Sequence, residues 1–267
     1  MREFFILGLL LCNIGFAQDL KLLSPDYSFE PHTVYLLFGD QVKLRSGPGT
    51  DTDVLDLLAI GTSVNILEKM PQTQFFKGLK SHWYKVKAKQ QEGYILGGLI
   101  SLDHVSLGDA IFVIGLNKKG EELAVEVRTI RQKDAGAYEE LSVSLPTYSF
   151  ELKGEAVKGI EGVNNALVVD FFAEACGVNS GGTYLFDTGE ELIEAFSFIQ
   201  ASDAGVYSIE ETLIFPNAPE GREGKILFTS KTQELLDEET NWISTKWIER
   251  ELQWDGYKIV PDLRAEE

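Results

Sequence analysis

Two cysteines, three histidines and a minority of cationic residues are all that this 267-residue chain carries of those types, and each shortage removes a class of explanation. Cys12 lies in an N-terminal stretch that reads as a cleaved signal, which leaves Cys176 as the one later cysteine. An intrachain disulfide and a zinc site built on cysteines are thereby excluded, and stability falls to packed cores. The histidines, His32, His82 and His104, all precede Cys176, so a Ser-His-Asp triad would have to borrow one from the first domain or its junction. Cys176 sits among Phe171, Phe172, Ala173 and Ala175, apolar surroundings in which a thiol is inert. Lys and Arg number 24 against 42 Asp and Glu, a net charge of −18. A field of that sign repels nucleic acid, anionic lipid and anionic wall polymers, and nucleic acid is excluded as a partner. Beyond the first residues no apolar run is long enough to span a bilayer, and no segment carries a sustained helical stripe.

Arg2 followed by the apolar run Phe4 to Leu11 has the form of a signal peptide, and Gly15-Phe16-Ala17 places small residues where a signal peptidase reads. The expectation is cleavage of residues 1–17 before Gln18, giving a secreted or periplasmic protein. The competing reading is lipoprotein anchoring at Cys12, against which Leu11 is bulky where a small residue is expected. Residues 18–32 mix charges and prolines with few periodic apolar positions, and read as a leader laid over the first domain or as a linker.

Residues 33–102 carry short alternating stretches separated by turns. Val42-Lys43-Leu44-Arg45 is a half-buried strand that runs into Ser46-Gly47-Pro48-Gly49-Thr50, a turn. Gly61-Thr62, Trp83-Tyr84-Lys85-Val86, Gly93-Tyr94-Ile95 and Leu99 follow in order. Together these resemble the pattern of the bacterial SH3-like (SH3b) domain, over about a quarter of the chain. The resemblance implies a small non-catalytic barrel that binds peptides or cell-wall material. Tyr35, Trp83, Tyr84 and Tyr94 are candidates for an aromatic groove; Trp83 and Tyr94 also suit a barrel filling. Between Glu68 and Trp83 a long loop is expected, with Phe75 and Phe76 beside Lys77 and Lys80. That aromatic pair either forms a partner-binding patch or packs against the second domain. SH3b modules often accompany cysteine peptidases of the NlpC/P60 type, which resemble Asp-Cys-Ser-Gly at the nucleophile. Here the sequence reads Ala175-Cys176-Gly177 with no later histidine, and that chemistry is excluded.

Residues 105–262 hold most of the acid and an internal repeat. Positions 119–138 and 188–207 align without a gap and share nine of twenty residues, among them Asp134-Ala135-Gly136 and Asp203-Ala204-Gly205. Each copy reads as strand, Gly-containing turn, strand, Asp-Ala-Gly turn, strand. Hairpin turns are expected at Lys118-Lys119-Gly120, Asp187-Thr188-Gly189, Phe228-Thr229-Ser230-Lys231 and Trp254-Asp255-Gly256-Tyr257. The arrangement of these hairpins, as sandwich, open barrel or blades, stays open. Acids next to glycine are what hairpin turns require, and no run of alternating oxygen ligands marks a calcium loop.

The sequence therefore predicts an all-β protein: a small SH3-like barrel followed by an antiparallel β domain with internally repeated hairpins. The expected function is non-catalytic binding at the bacterial envelope, with cell-wall peptide or an envelope protein as partner and no cofactor or metal. The alternative is an envelope glycan or peptide hydrolase using carboxylates of the C-terminal domain.

Overall fold

A computed structural model describes residues 22–134, 136–173 and 180–263. The signal segment with Cys12, and Cys176, lie outside the described residues. The described chain is built almost wholly of antiparallel strands, with two single-turn 3₁₀ segments, Gly97–Leu99 and Gln132–Asp134. Among the described residues no helix is long and apolar enough to cross a membrane.

The first six strands are β1 (Val34–Leu36), β2 (Val42–Arg45), β3 (Val54–Leu58), β4 (Ser63–Phe76), β5 (Leu79–Ala88) and β6 (Gln91–Leu96). They form one sheet in the order β1-β4-β5-β6-β2-β3, curled around Val42, Leu44, Leu58, Val64, Ile66, Tyr84, Val86 and Ile95. Alternation drives this: Val42 and Leu44 are buried while Lys43 is exposed. The Gly-Pro-Gly turn after β2 is closed by Thr52, whose hydroxyl donates to Gly47 O (3.0 Å) and Gly49 O (2.8 Å). Arg45 Nη1 donates to Thr52 O at 2.7 Å, so this basic residue pins the turn.

The stretch from Glu68 to Trp83 is not the expected loop. β4 and β5 run on as a long hairpin closed by Lys77 and Gly78, whose φ values are 46° and 76°. Two successive positive φ angles give the turn whose twist matches that of paired strands. An irregularity in pairing between Lys69 and Thr73 breaks the alternation there and hides the strand from a periodicity reading.

The segment before β1 acts as a strap. Leu23 exchanges backbone hydrogen bonds with Phe150, at 2.7 and 3.1 Å, and is fully buried. Six residues on, Phe29 enters the barrel core, edge-on to Tyr35 (4.9 Å) and Tyr84 (5.2 Å).

Next come β7 (His104–Leu107), β8 (Ala110–Lys119), β9 (Glu122–Arg131) and β10 (Tyr138–Leu145), a four-stranded sheet in the order β10-β9-β8-β7. An eight-stranded meander follows: β11 (Ser149–Ala156), β12 (Asn165–Phe172), β13 (Ser180–Asp187), β14 (Leu192–Asp203), β15 (Tyr207–Ile214), β16 (Ile226–Asp237), β17 (Trp242–Trp254) and β18 (Ile259–Val260). The sequence repeat superposes β8, β9 and β10 on β13, β14 and β15, one copy in each sheet. Three of the four expected turns fall between strands. The fourth, Phe228–Lys231, lies inside β16, where Phe228 and Ser230 are buried and no glycine interrupts the strand. That hairpin instead turns after Asp237, whose carboxylate accepts the Thr240 N–H at 2.9 Å.

The four-stranded sheet is covered on both faces. Phe112, Ile114, Val125 and Val127 meet Phe150, Leu152, Leu167, Val169 and Leu185 of the meander. Val113 on the opposite face meets Phe38 and Ile60 of the barrel, with Ile111 and Ile130 alongside. Phe38 is fully buried and lies on Gly115, where a Cβ would come within 2.6 Å of its ring. The Arg128 guanidinium stacks on the same ring at 4.1 Å and donates to Phe38 O at 2.8 Å. The Lys77–Gly78 turn also docks on this sheet: Lys77 O accepts the Lys118 N–H at 2.9 Å, and Lys77 pairs with the buried Glu126. The far end of the meander curls on itself around Ala166, Phe186, Leu213, Phe215, Phe228 and Leu252.

Candidate functional site: two concave surfaces

The first concavity, of about 350 Å³, opens where the strap, the β4–β5 hairpin, the Gly97–Leu99 turn and β8 meet. Tyr27, Phe29, Phe76 and Tyr84 supply apolar walls; Asp26, Lys69, Lys80 and His82 supply charge and hydrogen-bonding capacity. The hairpin extension carries Lys69, Phe76, Lys80 and His82 to the site, and the strap carries Asp26 and Tyr27. Lys69 Nζ donates to Ser28 Oγ at 3.1 Å, tying the two together. His82 Nδ1 lies 2.9 Å from Met70 O; a carbonyl only accepts, so Nδ1 carries the hydrogen of that bond. The tyrosine hydroxyls hold the strap: Tyr84 OH accepts the Phe29 N–H at 3.4 Å and Tyr35 OH accepts the Glu30 N–H at 3.2 Å. Burial, and then the Tyr35 hydroxyl 3.4 Å away, push the Tyr27 phenol well above its ordinary range, so it stays neutral.

Of the aromatic residues singled out in the sequence, Tyr84 and Phe76 line this concavity. Tyr35 lies behind them in the barrel core. Trp83 and Tyr94 stand on the other face of the sheet, by the pairing of Trp83 with Leu96 and Lys85 with Tyr94. Trp83 is buried there and Tyr94 half-buried. Phe76 covers Gly98, whereas Phe75 is 74% exposed. The adjacent pair thus splits, one ring lining the concavity and one in solvent. Strap residues Asp26, Tyr27 and Phe29 carry no sequence signal as site residues, because three polar or aromatic positions in an irregular segment show no period.

The second concavity, of about 700 Å³, lies on the meander's inner face beside its curled core. Glu155, Asp170, Glu211, Lys153, Tyr184, Phe198 and Gln200 line it. Lys153 bridges Asp170, at 2.8 Å, and Glu151. Glu211 is fixed by accepting the Ile199 N–H at 2.9 Å where β14 and β15 diverge. Gly182 keeps the floor open, since a Cβ there would fall 2.6 Å from both Asp170 and the Phe198 ring. Burial, then the charges of Asp170 and Glu155, push the Tyr184 phenol up from 10.0 to about 12. Only the odd-even alternation in Lys153-Gly154-Glu155 hints at these positions in the sequence; their convergence comes from the curl.

A raised phenol pKa couples to stability with a definite sign. Below pH 10 Tyr184 is protonated in folded and unfolded chains alike, and its contribution is intact. As pH rises from there through about 12 the unfolded chain loses the proton first, and stability falls. Tyr184→Phe is expected to remove this part of the alkaline loss, read from denaturation midpoints across that range. Superimposable alkaline curves for the two proteins would count against the assignment.

Residues 40–101, which span β2 to β6 and so the hairpin lining the first concavity, match the family model of the bacterial SH3 domain. Searches of the curated proteins and of the solved structures each found no match.

Proposed function

We propose that the protein is a non-catalytic binding protein of the bacterial envelope, exported by cleavage before Gln18, whose barrel concavity takes a carboxylate-bearing peptide of the wall or of an envelope protein. A bacterial SH3 domain suggests peptide or wall binding at the coarse level. One observation supports the finer reading: in a chain of net charge −18, this aromatic concavity sets Lys69 and Lys80 against the single carboxylate of Asp26. Cations at an apolar mouth suit an anionic peptide end and speed its capture. Titration of the purified protein with soluble wall peptides tests this. The double variant Lys69→Glu/Lys80→Glu is expected to weaken binding by about tenfold or more, with an unchanged melting temperature. Undiminished binding by that variant removes the reading.

A second reading rests on Glu155, Asp170 and Glu211 gathering in one groove, as an envelope glycan or peptide hydrolase requires of paired carboxylates. Soluble fragments released from isolated peptidoglycan, and lost in Asp170→Asn, would transfer the function to the meander.

A further inference from the structure

We propose that the free edge of β17 receives an extended, basic segment of a partner polypeptide as an added strand. β17 pairs with β16 from Trp242 to Leu252, but on its other side β18 covers only Gln253 and Trp254. From Trp242 to Leu252 the outer edge has no strand beside it among the described residues. Such an edge offers a row of backbone donors and acceptors, and proteins ordinarily blunt it with charge, proline or a covering loop. The base of this edge is guarded in that way: Arg222, from the loop before β16, pairs with Glu249 (3.0 Å) and Glu251 (2.5 Å). Toward the tip the guard thins: Trp242-Ile243-Ser244-Thr245 carries no charge, and Lys246 is the one charged residue before Trp247.

The side chains there are those of a binding surface. Trp242 is 64% exposed, Trp247 59%, Leu236 50% and Ile243 47%. Val206, whose carbonyl accepts the Leu235 N–H at 2.7 Å, extends the patch onto the β14–β15 turn. Half of the chain's four tryptophans thus stand in solvent on one hairpin. Large apolar side chains exposed together on one hairpin mark an interaction site. Trp247 and Ile243 share one face of β17 and Trp242 takes the other, so an added strand would set alternate side chains against aromatic rings on both faces.

Charge selects the occupant. Glu234, Glu238 and Glu239 ring the tip, exposed and without an ion-pair partner among the described residues. Carboxylates next to tryptophan faces attract lysine and arginine twice, by Coulomb attraction and by cation–π contact. The same charges oppose a second copy of a chain at −18. Main-chain pairing supplies affinity and the flanking pockets supply selectivity, as in other strand-addition complexes.

The test titrates the full chain with a synthetic peptide alternating lysine and valine, and with its glutamate–valine counterpart, following the heat of binding by calorimetry. The lysine peptide is expected to bind, and to weaken by about tenfold or more in Trp242→Ala/Trp247→Ala and in Glu238→Lys/Glu239→Lys. All four positions are exposed, so thermal melts should be unchanged. Lys69→Glu/Lys80→Glu should leave this binding intact, which separates it from the barrel concavity. No binding of the lysine peptide, or equal binding of the glutamate peptide, overturns the proposal. A dimer in sedimentation that Trp247→Ala dissociates also overturns it, by giving the edge to a second copy.

Discussion

Asp187→Ala is expected to destabilise the protein by roughly 3–5 kcal/mol, and Arg131→Met by clearly less, about 1–2 kcal/mol. The two side chains are 1% and 2% exposed and meet at 2.7 Å between β13 of the meander and β9 of the four-stranded sheet. Their situations differ. Asp187 also accepts from Asn165 (2.7 Å) and from the Gly189 N–H (3.0 Å), so it keeps two donors when Arg131 is gone. Arg131 has Glu139 in reserve, at 3.5 Å, and its Nε and Nη1 already lack hydrogen-bond partners among the described residues. Burial pulls the guanidinium toward neutrality, and the Asp187 hydrogen bond and charge more than offset that. Removing Asp187 therefore strands a buried cation, which is the expensive half of any buried pair. The double variant Arg131→Met/Asp187→Asn should recover most of the loss. Urea titrations at matched m-values read all three; equal costs for the two single variants would dismiss this account.

Phe38→Ala is the second large effect, at roughly 3–5 kcal/mol for a fully buried aromatic. The ring is the main plug between barrel and four-stranded sheet, closed above by Arg128 and below by Gly115. Its loss leaves Val113 and Ile60 facing a cavity and takes the stacking surface from Arg128. The barrel and the two sheets behind it should then melt in separate transitions, visible by calorimetry. A compensating change gives a sharper test. Gly115→Ala alone drives a Cβ to within 2.6 Å of the ring and should destabilise. In the Phe38→Ala background the same methyl enters vacated space and should be neutral or better, a strong non-additivity. Additive costs would show that Phe38 and Gly115 do not share that contact.

Local signals in this chain were legible where several residues cooperate within one short segment. The Gly47-Pro48-Gly49 turn announces β2 and β3, and the repeat of 119–138 in 188–207 aligns strand for strand with the structure. What the repeat does not reveal is that its two copies end in different sheets. That division depends on Phe38 and Phe150 covering opposite faces of β8 and β9, contacts made across long separations in the chain. The leader reads as a segment over the first domain or a linker, but where it anchors was unreadable for a related reason. Leu23 and Phe29 are isolated apolar residues, and periodicity needs several. The first concavity inherits this blindness, since half of it comes from the strap and half from a hairpin whose irregular pairing looks like a loop. The meander's carboxylates are ordinary solvated positions in the sequence; only curvature turns them toward one another.

The strap also sets an order of assembly. Phe29 needs only partners from within the barrel, the latest being Tyr84, so it can seat once that unit has closed. Leu23 pairs with Phe150, and its burial must wait until the four-stranded sheet and β11 have formed behind the barrel. Closing so long a loop is entropically costly and slow. Joining the two cores is accordingly expected late in folding, and native-state hydrogen exchange should show the Leu23 amide opening before those of the barrel core.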